Sequence, residues 1–256
     1  LKTGQSLYLR LAKRKSAKEQ KVVISGFLSE SLIDHPGNIS FVVYTAPCNF
    51  RCPYCHNPSL VTEAKASVTG DEVLNEISRR AGFIDSVTIT GGEPTINPDI
   101  IDFMRRVKKT GVSVKLDTNG YRPDVLSVII GEKLADYIAM DIKAAPYNYA
   151  MASGINNPDV SVIERSARLI IDSGIKHEFR TTVVPGIVEK KDINHIGKMV
   201  SGAPVFVLQQ FANKETLSPG MVNIPPYPEW MLKEMSDLLK PFVGEVRIYN
   251  LEGVLN

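Results

Sequence analysis

The sequence predicts an α/β fold in which parallel strands alternate with helices and curl into a full or partial barrel. Three observations lead there. Short runs rich in Val, Ile, Thr and aromatics recur along the 256 residues, at 39–45, 86–90, 113–117, 137–141, 177–184, 205–209 and 245–249. Amphipathic stretches of helical period separate most of them. The connections are short, so each strand–helix–strand unit implies a right-handed crossover between parallel neighbours.

Taken in order, the chain opens with a candidate hairpin, 22–28 against 39–43. The strand at 39–45 runs straight into a cysteine-rich loop. A helix over 70–81 then leads to the strand at 86–90. Asn97-Pro98-Asp99 offers a cap, a proline and an acid to start a helix over 98–110, and Gly111 offers a left-handed stop. Helix 123–130 follows strand 113–117. After strand 137–141, Asp159 caps a helix over 160–173 that Gly174 closes. Helices over 191–200 and 228–239 flank strand 205–209 and lead to 245–249. In such a fold the loops at the carboxyl ends of the strands build the site. No linker or repeat interrupts the pattern, so 22–256 reads as one domain behind an arm, 1–21.

Bulk composition narrows the classes. Hydrophobic residues make up 43% and charged residues 23%, ordinary for a globular protein. No run approaches the roughly 18–20 apolar residues that span a bilayer. The first twenty residues are basic and lack the apolar core of a signal peptide, so the expected location is cytoplasmic and the expected membrane contact none. Residues 1–21 carry seven basic groups against one acid, Glu19, which leaves the remainder net acidic. Such an arm suits nucleic acid or an acidic partner; a solvated extension is the plainer reading.

All three cysteines fall within eight residues, as Cys48-x3-Cys52-x2-Cys55 in Tyr44-Thr-Ala-Pro-Cys-Asn-Phe-Arg-Cys-Pro-Tyr-Cys-His-Asn57. Three is too few for a disulfide framework, and the spacing lets one loop wrap three corners of an iron–sulfur cube. The fourth iron then lacks a protein ligand and is open to a small molecule. A structural Cys3His zinc site and a plain iron–sulfur electron carrier are the competing readings. Zinc fits poorly, because His56 is adjacent to Cys55 and the two cannot easily aim at one ion. An electron carrier would normally fill all four corners with cysteine.

Other chemistry-bearing residues follow strand ends. Gly91 and Gly92 permit close backbone approach, and Glu93 offers an acceptor for an ammonium group. Asp117 and Thr118 end one strand. Asp141 and Lys143 end the next and share a face if the strand runs that far; their bland reading is a surface ion pair. Arg180, among apolar neighbours, needs either a bound anion or an internal bridge. His195 lies on a helix, where a lone histidine is usually filler.

The cysteine spacing and the Gly91-Gly-Glu-Pro94 motif resemble the signature of the radical S-adenosylmethionine (SAM) superfamily. Ile24-Ser-Gly-Phe-Leu with Leu32-Ile-Asp-His-Pro-Gly37, His56-Asn-Pro58, Asp117-Thr-Asn-Gly120, Asp141-Ile-Lys143, 179–186, Leu208-Gln-Gln-Phe211 and Lys214-Glu-Thr-Leu217 extend the resemblance to one branch. That branch comprises the activating enzymes of glycyl radical enzymes, such as those of anaerobic ribonucleotide reductase and pyruvate formate-lyase.

The resemblance implies a partial (β/α)6 TIM-like barrel and a [4Fe–4S] cluster on Cys48, Cys52 and Cys55. It implies SAM chelated to the open iron and split to a 5′-deoxyadenosyl radical, with Tyr54 beside the adenine. Gly91, Gly92 and Glu93 would meet the methionine amino group. Asp117, Thr118, Asp141 and Lys143 would surround the methionine end, Arg180 would join the cofactor site, and His195 would touch the ribose. Flavodoxin or ferredoxin would supply the electron, and the partner would be a glycyl radical enzyme. Radical chemistry on a small molecule, a nucleic acid or another protein is the alternative, and a non-catalytic iron–sulfur or zinc protein a third reading. Two features depart from the branch: no further cysteine provides an auxiliary cluster, and the arm 1–21 lies outside the resemblance.

Overall fold

The central strands are buried on both sides, with apolar residues on one face and, in the strands Ser113–Thr118, Tyr137–Asp141 and Lys176–Val183, charged residues on the other. The computed structural model describes residues 22–62, 65–250 and 253–255; the basic arm lies outside them. The strands are β1 (Ile24–Ser31), β2 (Ser40–Thr45), β3 (Ser86–Gly91), β4 (Ser113–Thr118), β5 (Tyr137–Asp141), β6 (Lys176–Val183), β7 (Val205–Gln210), β8 (Glu245–Asn250) and β9 (Gly253–Leu255). They form one sheet in sequential order, β1 to β9. Strands β2 to β8 are parallel, while β1 and β9 run antiparallel at the two ends. The two end strands do not pair with each other, so the barrel is partial.

Helices α1 (Pro58–Thr62), α2 (Gly70–Arg80), α3 (Ile100–Lys108), α4 (Pro123–Gly131), α5 (Tyr149–Ser153), α6 (Val160–Asp172), α7 (Ile193–Met199) and α8 (Glu229–Leu239) fill the crossovers. The short α1 and α5 lack the length to show a period, and the sequence does not predict them. Thr69 and Glu72 cap α2 reciprocally, Thr69 Oγ1 accepting from the Glu72 amide and Glu72 from the Thr69 amide. Asp159 caps α6 through the Ser161 amide, as expected. Asn97 departs from expectation. Its side-chain oxygen accepts from the Val23 amide at 3.0 Å, tying the chain start to the β3 exit, and α3 begins at Ile100 without a side-chain cap. Gly111 and Gly174 adopt the left-handed conformation that their helix ends require.

On the apolar face, Val114 and Leu116 of β4, Ile138 and Met140 of β5 and Phe179 of β6 are fully buried beneath the helices, in one core that runs from Val22 to Ile248. The opposite face of the same strands carries Lys115, Asp117, Tyr137, Asp141, Glu178 and Arg180. Pairing of Lys115 with Tyr137 and of Asp141 with Arg180 brings these charges side by side.

At the amino ends of the parallel strands, the β1–β2 connection inserts His35, 5% exposed, against the Tyr137 ring at 5.2 Å. Burial, then the nearby Lys115, pushes its pKa down to about 4, against the opposing pull of Asp117 and Asp136. A lowered histidine pKa means that the folded state binds fewer protons than the unfolded chain. Its contribution is therefore complete above about pH 6.5 and fades as pH falls toward 4. A His35→Gln variant should lose on the order of 1–2 kcal/mol less stability than the parent between pH 7 and pH 5, read by urea unfolding. Equal losses would remove His35 from the acid response.

Candidate functional site

The cysteine loop leaves β2 through a cis Ala46–Pro47 bond and is held from three sides. Below it, the Gly92 amide donates to Thr45 O at 2.8 Å and the Glu93 amide to Pro47 O at 3.0 Å. Beside it, the Arg51 amide donates to Ser153 O at 2.7 Å, and the Arg51 guanidinium donates to Cys48 O at 2.8 Å and Phe50 O at 3.0 Å. Over it, the segment after β7 lies as a strap, with the Leu217 amide donating to Cys55 O at 3.1 Å and the Ser218 amide to Pro53 O at 2.9 Å. His56 points into that strap, its Nδ1 3.1 Å from Glu215 O and its ring stacked on Phe211.

Glycine is required at the contact. A β-carbon on Gly92 would lie 2.5 Å from Pro47 O and 2.9 Å from Cys48 N, and one on Gly91 (φ +113°) would lie 2.4 Å from Thr45 N and O. All of these are backbone atoms, which cannot swing aside. Gly92→Ala should therefore displace the cysteine loop, at a cost of about 1–3 kcal/mol. Iron uptake, measured after anaerobic reconstitution, should fall further than thermal stability does. A variant that loads iron normally would show that the close approach does not matter.

The three thiols are free; Cys52 is buried and Cys48 and Cys55 are half-buried. Burial pushes Cys48 up to about 12 and Cys52 up to about 11, with Lys143 pulling both the other way. Without metal they are neutral thiols, so metal uptake releases protons. Among the described residues no three His, Cys, Asp or Glu groups converge where one metal ion would sit. Three free thiols on one short loop suit a multi-iron cluster, which offers each thiol its own iron. The donor set fits the cluster.

Glu93 is 1% exposed. Its Oε1 accepts from the Thr95 amide (3.1 Å), Thr95 Oγ1 (2.5 Å) and Thr118 Oγ1 (2.8 Å), and its Oε2 from the Asn119 amide (2.6 Å). The acceptor expected to face an ammonium also ties the β3 and β4 exits together. Burial raises its pKa, and the hydrogen bonds only partly offset that. Asn119 extends the lock, its Nδ2 donating to Asn49 Oδ1 at 2.7 Å inside the cysteine loop.

The charged face forms a continuous ladder. Lys115, 1% exposed, meets Asp117 Oδ1 at 2.5 Å. Arg180 reaches Asp117 Oδ2 at 3.6 Å, Asp141 Oδ1 at 3.0 Å and Glu178 Oε1 at 4.0 Å. Lys143 meets Asp141 Oδ2 at 2.8 Å. Strand β5 stops at Asp141, yet the Ile142 amide donating to Arg180 O at 2.8 Å keeps the chain extended enough for Lys143 to fold back. The Asp141–Lys143 pair is half-buried, not the surface pair of the bland reading. Burial pushes Asp117 and Asp141 upward, but Arg180 and Lys115 for the first, and Lys143 and Arg180 for the second, hold both below the usual carboxylate range. Tyr54, 4% exposed, joins the cysteine loop to this ladder, its hydroxyl donating to Lys143 O at 3.5 Å.

The structure thus gathers Cys48, Cys52, Cys55, Tyr54, Gly91, Gly92, Glu93, Asp117, Thr118, Asp141, Lys143 and Arg180 through one connected set of contacts. His195 does not join them. Its ring packs edge-on against Tyr147 at 5.3 Å, and it lines an outer groove with Pro146, Glu164, Arg168, Lys198 and Met199. Sequence reasoning missed Arg51 and Lys115, and it marked the strap only as the matched stretch Lys214-Glu-Thr-Leu217, with no contact assigned to it. Lys115 had the one usable signal, a cation inside an apolar strand.

The fold is thus a partial parallel barrel that carries a three-cysteine loop on its first parallel strand, with a Gly-Gly turn beneath it and paired charges beside it. The Radical SAM superfamily profile matches residues 42–198. A Methanocaldococcus jannaschii protein provisionally named a glycyl-radical enzyme activating enzyme is 34% identical over 91% of this chain and 98% of its own length. The pyruvate formate-lyase-activating enzyme of Clostridium pasteurianum is 30% identical over 64% of this chain and 69% of its own. The chain belongs to the radical SAM superfamily, among the activating enzymes of glycyl radical enzymes. In fold it is similar to Streptococcus suis SuiB bound to S-adenosylmethionine (TM-score 0.63, 13% identity, 82% of this chain) and to archaeal TYW1 (TM-score 0.55, 16% identity, 82% of this chain and 74% of that one). It spans about half the length of SuiB, 49%.

Proposed function

We propose that residues 22–256 act as one catalytic domain, which holds a [4Fe–4S] cluster on Cys48, Cys52 and Cys55 and activates a glycyl radical enzyme. When bound, cluster and SAM together supply reductive cleavage to a 5′-deoxyadenosyl radical that takes one hydrogen from the partner's glycine. The residues of the chain bind and orient. Lys143 and Arg180 are the cations available to a cofactor carboxylate, and Asp141 and Asp117 are the acids available to its ammonium. Gly91 and Gly92 let the cysteine loop seat directly on the β3 exit, and Glu93 with Thr118 fixes the floor on which the ligand rests. Tyr54 packs as the apolar wall beside the third cysteine.

The observation that carries the reading is the seating of the cysteine loop on the Gly91–Gly92 turn, linked through Tyr54 to the Lys143 end of the charged ladder. Abstraction of hydrogen from a backbone carbon needs no general acid or base, so the ladder has only to bind and orient. Flavodoxin or ferredoxin serves as reductant, and the reaction runs in the cytoplasm. Among the described residues no helix is long and apolar enough to cross a membrane.

The test mixes the reduced holoenzyme, SAM and a glycyl radical enzyme of the source organism under anaerobic conditions. An EPR doublet of a glycyl radical, one per deoxyadenosine formed at most, is expected. Deoxyadenosine without a doublet on any such partner would move the reading to a different substrate.

A further inference from the structure

The face of the barrel that His195 occupies has a construction of its own. Between α6 and α7, and behind the loop that leaves β5, lies a groove of about 440 Å³. Its floor is apolar, from Pro146 and buried Met199. Its walls carry Arg168, Lys198, His195 and one acid, Glu164. Among the described residues no carboxylate lies within ion-pair distance of Arg168 or Lys198. The guanidinium of Arg168 has a single long contact, to Ser201 O at 3.5 Å. Unpaired cations of both α6 and α7 thus face one space. Beside the groove, Tyr147, 56% exposed, packs edge-on against the His195 ring at 5.3 Å, and Met151, four residues on in the chain, is 49% exposed. Aromatic and methionine side chains presented this way are typical of protein interfaces.

We infer that this groove docks an acidic segment of the protein partner, with Arg168 and Lys198 receiving its carboxylates and Tyr147 and Met151 packing against its apolar flank. The inference rests on the activating function proposed above and adds where the partner is held. Three features favour a protein segment over a small anion. The groove is open along one side, whereas small-ligand sites enclose most of their ligand. All four charged or protonatable wall residues, Glu164, Arg168, His195 and Lys198, are solvent-exposed. The rim is also continuous with the reacting end of the barrel. Pro146 and Tyr147 follow Lys143 by three and four residues, and Tyr147 is anchored through its hydroxyl to Asp192 at the start of α7. A partner seated there holds its glycine loop close to the barrel mouth. Glu164 opposes the partner's charge and limits affinity.

The test uses the reconstituted full-length holoenzyme and the source organism's glycyl radical enzyme, with the EPR doublet followed against partner concentration. A double variant, Arg168→Glu with Lys198→Glu, should raise the half-saturating partner concentration about tenfold or more at low salt. Partner-independent formation of deoxyadenosine should not change. Glu164→Gln should shift half-saturation the opposite way, severalfold lower, a gain that misfolding cannot mimic. Salt should weaken the wild type and leave the double variant nearly indifferent. Unchanged half-saturation in the charge-reversal variant would overturn the docking site while leaving the activating function intact. So would tight binding of inorganic phosphate that the variant loses without any change in partner saturation, since the groove would then be a small-anion site. Failure of the wild type to give any doublet would overturn the activating function and the docking inference with it.

Discussion

A Cys52→Ala protein, reconstituted anaerobically with iron and sulfide, should keep its fold and lose its cofactor. Cys52 is 7% exposed and packs in the core as a small hydrophobe, with its carbonyl accepting the Cys55 amide at 3.0 Å in a turn that does not need the sulfur. Alanine fills most of that volume. Unfolding of the metal-free variant should move by about 1 kcal/mol, roughly 2–4 °C in a chain of this size. Binding of the cluster is another matter. The proposed site has three thiols as ligands, no other cysteine exists in the sequence to substitute, and His56 is engaged with Glu215 and Phe211. Iron and acid-labile sulfide should drop to background, visible absorbance should vanish, and dithionite with SAM should yield no deoxyadenosine above the enzyme-free control. Full iron content and unchanged deoxyadenosine in this variant would leave the three-thiol cluster without support.

Arg180→Ala should be the most destabilising single change on the charged face. The guanidinium stands within 4.0 Å of three carboxylates, those of Asp117, Asp141 and Glu178, and is 15% exposed. Lys115 and Lys143 remain in the variant, yet among the described residues each reaches one carboxylate only. Removing one partner of a largely buried ionic network leaves charge uncompensated and costs about 3–5 kcal/mol. Arg180→Lys keeps the charge but not the fork, so its loss should be intermediate.

The pH dependence has a definite sign. Asp117 and Asp141 are held below the ordinary carboxylate range, so their contribution is complete above about pH 4 and is lost as pH falls through their folded values. Without Arg180 those depressions relax. The gap in stability between parent and variant should be widest near neutrality and narrow on acidification. A gap independent of pH would mean that packing, not charge, is what Arg180 contributes.

Much of this molecule is legible in its sequence, for identifiable reasons. Strand and helix periods report which side of an element is buried, and that is a local property. The seven parallel strands lie within a residue or two of the expected runs. The Asp159 carboxylate caps its helix, and Gly111 and Gly174, with no β-carbon, take the left-handed turn at theirs. Cys48, Cys52 and Cys55 announce a cluster because their spacing is short, and Gly91 and Gly92 announce a close approach because no other residue permits one.

The partners of charged and polar groups are not local. Asn97 reads as a helix cap and instead holds the Val23 amide, 74 residues away. Glu93 reads as a ligand acceptor, and the β3–β4 register, which the sequence does not show, also brings Thr118 and Asn119 to it. Lys115, Asp117, Asp141 and Arg180 become a ladder only because β4, β5 and β6 pair in one particular register. A slip of one residue would turn all of them to the opposite face. His195 shares a helix with residues buried against the sheet, yet it turns outward to Tyr147, and no spacing rule shows that.

The sequence by itself determined the alternating fold, the cluster loop and the glycine turn beneath it, since each depends on residues close together along the chain. Only the tertiary structure decided which charge neutralises which and which face His195 serves. Those choices are made by strand register and helix rotation, which act between segments far apart in the chain.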